Sequence, residues 1–259
     1  MERHEQNGLV YYRFDLLGAL KHGVFTRHGG TSAAPFASLN LGGNVGDDPK
    51  AVRQNHVRMY EVLGVEDTRA CTVWQVHSVD TVLVNQPVKG RRWIAAADGM
   101  ITDKPDTPLS MRFADCTPIL LYDPVQGVIG MAHAGWRGTV KGMSAHIVKA
   151  MTQAYGCKPA NIRAVIGPSI GPNRYQVGAE VVDAARAYFG DVTGLFHIDP
   201  RDNTPYFNLW EANRRDLERG GVEQIEIAGI CTAEHTGDFF SHRAEHGQTG
   251  RFGAVLSMS

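Results

Sequence analysis

The strongest constraint on this chain is a succession of short apolar runs rich in β-branched residues: Gly23–Thr26, Thr72–Val76, Thr81–Val84, Leu109–Phe113, Ile119–Tyr122 and Val128–Ala132. Runs of four or five residues are too short for helices that bury a stripe, so they read as strands. Asp-Pro, Gln-Gly and Asn-Gln-Pro breaks separate them, and Tyr122-Asp123-Pro124-Val125-Gln126-Gly127-Val128 reads as a hairpin between two buried strands. The first half is therefore expected to be meandering sheet without alternating βαβ units.

Helical spacing emerges later. Val140, Met143, Ile147 and Met151 recur at helical intervals within Thr139–Tyr155, and Gly156 stands where a C-terminal glycine belongs. A second helix is expected over Ala179–Tyr188. A third starts at Asn208, an N-cap with Glu211 three residues on, and runs through Leu217 to Gly220-Gly221. Strands follow at Gln224–Ala228 and Phe252–Met258. No repeat or low-complexity tract interrupts this order, so residues 1–259 read as one α+β domain with mixed sheets covered by helices. Gly29–Asp48 has no periodicity, and a loop of that length in a compact domain is usually functional or disordered.

Lys and Arg number 26 against 27 Asp and Glu, interspersed, so there is no broad cationic face for phosphate backbones or anionic lipids. Nucleic acid and membrane are set aside as main partners. No stretch approaches the roughly 20 apolar residues of a membrane span, and the polar start argues against a signal peptide, so a cytoplasmic location is expected. Four scattered cysteines in a chain of this length suggest thiols or ligands over a disulfide framework.

Three segments carry potential chemistry: Trp74-Gln75-Val76-His77-Ser78, Ala114-Asp115-Cys116-Thr117-Pro118 and Ala132-His133-Ala134-Gly135-Trp136-Arg137-Gly138. Each puts a ligand or nucleophile at the end of an apolar strand, where a sheet can hold it in fixed geometry yet open to a pocket. Two imidazoles and one thiolate would suit Zn²⁺ with a fourth position open, the pattern of a catalytic site. Such a metal lowers the pKa of bound water from about 16 toward 7. Cys116 as a nucleophile with His77 or His133 as base needs the same residue types at similar distances. Singly, a His or a buried Cys is more often structural; the company of Asp-Cys-Thr-Pro and His-Ala-Gly-Trp-Arg-Gly favours function. The turn from Gly135 to Thr139 would aim N–H groups at an anion, with Arg137 beside it, although a surface arginine is an equal reading. Ser241-His242-Arg243 and Gly250-Arg251 make a second candidate anion clamp, or a hairpin with solvated arginines.

The chain resembles the YfiH or laccase-domain proteins, also called multicopper polyphenol oxidases, purine nucleoside phosphorylases and peptidoglycan editing factors. The resemblance spans nearly the whole chain. It rests on Thr26-Arg27-His28-Gly29-Gly30-Thr31-Ser32, Ser38-Leu39-Asn40-Leu41-Gly42 with Gly46-Asp47, Gln75-Val76-His77, Ala97-Asp98-Gly99 and Asp115-Cys116-Thr117-Pro118. It continues through His133-Ala134-Gly135-Trp136-Arg137-Gly138, Ile166-Gly167-Pro168 and the Ser241, Arg243, Gly250, Arg251 group, with His242 where relatives often have Tyr. It implies an α/β/β/α layered sandwich and a zinc site of His77, Cys116 and His133, with copper as the alternative metal. Arg27, Asn40, Arg137, Ser241, Arg243 and Arg251 are the substrate- or phosphate-binding residues expected on it, and Gln75 and Asp115 the supports behind the ligands. The implied activity is phosphorolysis of adenosine, inosine, guanosine and methylthioadenosine, with adenosine deamination. The partners would be a small nucleoside and phosphate, in a monomer or small homo-oligomer.

Among reactions, deamination suits a metal-activated water directly, whereas phosphorolysis also needs phosphate held under C1′. Copper oxidase chemistry fits less well, because multi-electron reduction of oxygen ordinarily uses several coppers and this trio supplies one site. A hydrolase editing cell-wall peptides through Cys116 is the main alternative. A non-catalytic binding module is the third.

Overall fold

In the computed structural model, which describes residues 1–88 and 93–258, the apolar runs assemble into two facing sheets. Glu2–Gln6, Leu9–Arg13, Lys21–Phe25, Phe252–Ser257 and Leu109–Phe113 lie side by side in that order, antiparallel throughout. Gln224–Ile227, Arg163–Ile166, Thr117–Asp123, Val128–Ala134, Gly99–Thr102 and Thr81–Leu83 form the second, mixed sheet, with parallel pairs at both edges.

Side-chain alternation explains the layering. In Val128–Ala134, Ile129 and Met131 face Met111, Phe113 and Phe252 of the other sheet, whereas Val128, Ala132 and Ala134 face Met143, Ile147 and Met151 of a covering helix. The outer face of the first sheet packs Leu9, Tyr11, Phe25 and Val255 against Met59, Tyr60 and Val62 of helix Pro49–Val62. The layers thus run helix, sheet, sheet, helix, as the expected α/β/β/α arrangement requires. Each fully buried Leu, Ile, Met or Phe contributes about 1.5–3 kcal/mol, so the middle layer is a stiff platform for whatever stands at its end.

Three expectations are corrected. The first half is not all sheet: Asp48 caps helix Pro49–Val62, with Pro49 at its first turn. The helix expected over Thr139–Tyr155 breaks into Trp136–Thr139 and Met143–Tyr155 at Gly142, which sits at φ 81, where a Cβ would collide with the Tyr188 ring. The strand expected over Thr72–Val76 ends at Trp74, leaving Gln75, Val76 and His77 in a loop. The hairpin and the Asn208 cap, whose side chain accepts from Glu211 N at 3.1 Å, form as expected.

Residues 29–48 are ordered without regular structure. Buried Asn55 accepts from Thr31 N and donates to the carbonyls of Ser38 and Asn40 and to the Ser32 hydroxyl. No helix among the described residues is long and apolar enough to cross a membrane.

Candidate metal centre and cavity

Strand register brings the three candidate ligands together. His133 pairs with Pro118 and Ala134 with Thr117, so one further step sets Gly135 opposite Cys116. His133 shares the inward parity of Ile129 and Met131, and Cys116 that of Leu120, so both point between the sheets at one end. A Cβ on Gly135 would lie 2.8 Å from Cys116 Sγ and 3.1 Å from His77 Cδ2. Glycine is the residue that leaves this space open.

His77 reaches the pair from its loop in the left-handed region, at φ 61. Its Nε2 is 3.9 Å from Cys116 Sγ, and its ring meets that of His133 edge-on at 4.9 Å. The three ligand atoms all lie within 4.8 Å of one another. Tetrahedral zinc with bonds of about 2.0–2.3 Å needs donors roughly 3.3–3.6 Å apart, so adjustments of about an ångström or less would close the site. The donor set and spacing fit one such ion.

Gly135→Ala is expected to lower metal affinity about tenfold to a hundredfold, the usual effect of disturbing groups that orient ligands. The new methyl would press on two ligands while the backbone at φ −74 accepts alanine without strain. Zinc titration checks this, and unchanged affinity would contradict the packing argument.

Behind the trio stands Asp98, fully buried and missed as a functional residue by the sequence reading. Its Oδ1 is 2.8 Å from His133 Nδ1, and its main-chain oxygen accepts from His133 N at 2.8 Å. Its Oδ2 accepts from Val76 N at 3.1 Å and Ser78 N at 2.6 Å, the amides flanking His77. One carboxylate therefore orients two ligands and leaves His133 Nε2 for a metal. Burial alone would raise its pKa, but the His133 contact and the two amides outweigh it and hold the carboxyl below its ordinary value.

Burial likewise opposes charge on Cys116 and His133, and their mutual attraction overcomes it. The imidazoles of His133 and His77 bring the thiol down, while the Cys116 charge and the Asp98 hydrogen bond push His133 up. Each group thus favours the charged form of the other. Gln75 braces the His77 loop by donating to Arg112 O at 2.7 Å and accepting from Arg112 N at 3.1 Å. Asp115, at φ 78 just before Cys116, accepts from the Thr232 hydroxyl and from Arg243 N, tying the turn after Ser241 to the ligand.

The trio opens into a cavity of about 380 Å³. Trp74 and Trp93, 39% and 50% exposed and 4.2 Å apart, form one wall; Arg112, Arg251, His242 and the Gly42–Val45 segment complete it. Of the residues expected to bind substrate or phosphate, Arg251 is here. Asn40 stands behind it, accepting Arg251 N at 2.8 Å. The others lie outside this cavity. Arg27 pairs with Glu245 at 3.0 Å and stacks on Phe240; Arg243 donates to Gln176 O over the Tyr175 ring; exposed Arg137 lies over Trp136. Buried Ser241 accepts from Ala244 N. The helix entry expected to aim at an anion belongs to a helix of four residues.

Arg112 and the two indoles were not singled out by sequence reasoning. Arg112 had one visible signal, a charge inside the apolar run Leu109-Ser110-Met111-Arg112-Phe113.

The family model described as multi-copper polyphenol oxidoreductase laccase matches residues 21–259. A purine nucleoside phosphorylase of Deinococcus radiodurans is 38% identical over 241 residues, covering 93% of this chain and 90% of its own. Purine nucleoside phosphorylase YlmD of Geobacillus stearothermophilus is 37% identical over 242 residues, covering 90% and 88%. The crystal structure of Bacillus licheniformis hypothetical protein YfiH matches with TM-score 0.92 at 31% identity over 99% of both chains.

Proposed function

The chain belongs to the laccase-like YfiH family of the multi-copper polyphenol oxidoreductase model, and from that premise we propose that it is a zinc-dependent purine nucleoside phosphorylase that also deaminates adenosine. The observation that supports this most is the position of the three donors, on the floor of a cavity walled by indole faces and guanidinium groups. Relatives bearing the purine nucleoside phosphorylase name at 37–38% identity point the same way.

In this reading a purine lies against Trp74 and Trp93, whose faces suit a flat π-system. The ribose then stands over the trio. A phosphate oxygen attacks C1′, the C1′–N9 bond breaks, and the purine leaves with a proton, yielding ribose 1-phosphate. In deamination water adds at C6 and ammonia leaves. Zinc held by His77, Cys116 and His133 would supply a Lewis acid at an open position. Asp98 keeps His133 in the ligating tautomer, and Gln75 keeps the His77 loop in place. Zinc is preferred to copper because one N₂S set is the only group of three His, Cys, Asp or Glu among the described residues placed to hold an ion.

The thiolate–imidazolium polarisation of Cys116 and His133 favours a second reading, thiol-dependent hydrolysis of cell-wall peptides. Chelation separates the two. Zinc-stripped protein is expected to lose hypoxanthine release from inosine and phosphate, and ammonia release from adenosine, and to regain both with zinc. Activity that survives chelation but not alkylation of Cys116 would support the hydrolase, and oxygen uptake restored by copper the oxidase.

A further inference from the structure

We propose that Arg112 and Arg251 together form an oxyanion subsite that takes inorganic phosphate beside the His77–Cys116–His133 floor. The inference rests on the phosphorylase reading for its ligand, but its observations are separate. Gly253 pairs with Arg112 across neighbouring antiparallel strands, so Arg251, two residues earlier, is the diagonal neighbour of Arg112 on the same face. Such neighbours lie about 7–8 Å apart at the backbone, within reach of two long side chains converging on one tetrahedral anion. Leu41 and Met59 fill the space over Gly253, so the two side chains meet at the cavity end of the strands.

Both guanidinium groups line the cavity, and both are held in place by uncharged oxygens. Arg112 Nη2 donates to Val73 O at 2.9 Å and Gln75 Oε1 at 3.3 Å; Arg251 Nη1 donates to Thr249 O at 3.0 Å and Gly250 O at 2.8 Å. Among the described residues neither has a carboxylate at ion-pair distance. The acidic groups that act on Arg251 are Cys116 and Asp115, and the Asp115 oxygens are taken by Thr232 and Arg243 N. Among the described residues Arg251 keeps Nε and Nη2 without a hydrogen-bond partner, a forked pair of donors, whereas Arg112 keeps Nε and Nη1, two single donors on different sides of its guanidinium.

A cation drawn from water is ordinarily paired, and burial pulls both groups below the usual arginine range. A doubly charged oxyanion offsets that cost for both at once. Arg27, by contrast, is already paired with Glu245.

The test uses zinc-loaded protein with inorganic phosphate as the probe, followed by phosphorus NMR line broadening without nucleoside, and inosine binding measured separately. Arg112→Met and Arg251→Met are each expected to weaken phosphate binding about tenfold to a hundredfold, and inosine binding less than about threefold. Arg112 also braces the His77 loop, so zinc content is measured alongside. If Arg112→Met loses zinc, Arg112→Lys with Arg251→Met carries the test. Phosphate affinity within about twofold of wild type in the zinc-retaining variants at either position, or equal loss for phosphate and inosine, overturns the subsite. Wild-type protein that binds phosphate through these arginines yet releases no hypoxanthine overturns the phosphorylase reading and leaves the subsite standing.

Discussion

Cys116→Ser, His77→Ala and His133→Ala are each expected to remain folded, to fall well below one zinc per chain, and to lose inosine phosphorolysis by on the order of a thousandfold or more. A Lewis-acidic ion supplies several kcal/mol of transition-state stabilisation, and each 1.36 kcal/mol is about tenfold in rate. The fold survives because the trio caps the inter-sheet core without being part of it. The three variants should nonetheless differ in stability. His77 is exposed and Cys116 half-buried, whereas His133→Ala leaves the buried Asp98 carboxylate without its imidazole. An uncompensated buried acceptor costs about 1–3 kcal/mol, or roughly 2–12 °C in Tm for a chain of this size. Elemental analysis and thermal melts check both parts. Full zinc in all three variants would refute the ligand assignment.

Asp98→Asn is expected to be damaging, to a lesser degree, although it touches no substrate. The carboxylate accepts from His133 Nδ1 and from two amides, and an asparagine has only one oxygen for them. Its NH₂ must face a donor, which frees the His77 loop or reverses the His133 tautomer. Metal affinity and activity should each fall about tenfold to a hundredfold, with zinc in excess restoring part of the rate. Asp98→Ala, which removes the conflict with the donors but also the support, should bind zinc no better. A rate insensitive to Asp98→Asn would show that the buried carboxylate serves folding alone.

The clustering of His77, Cys116 and His133 was legible in sequence because each follows an apolar run; strand parity fixes the face of Cys116 and His133, while His77 reaches them from a loop. Asp98 was not, because its role depends on the register between Gly99–Thr102 and Val128–Ala134, a pairing no local pattern announces. Helix Pro49–Val62 escaped for a related reason: its inward face includes Asn55, a buried polar side chain bound to the 29–48 loop, which dilutes the apolar stripe. The Glu2–Gln6 strand is charged and largely exposed at a sheet edge, so its composition resembles a loop. Helix propensity around Val140 hid the break at Gly142, where tertiary packing under Tyr188 demands a glycine. Motif position says nothing about neutralisation: Arg27 finds Glu245, while Arg251, expected from its motif, and Arg112, which was not, line the cavity.

The most direct measurement of the central claim is phosphorus NMR of the products formed by zinc-loaded protein from inosine and inorganic phosphate, run beside Cys116→Ser. The account predicts ribose 1-phosphate appearing in step with hypoxanthine in the wild type and neither product in the variant. Free ribose in place of ribose 1-phosphate, or equal turnover by Cys116→Ser, would contradict it.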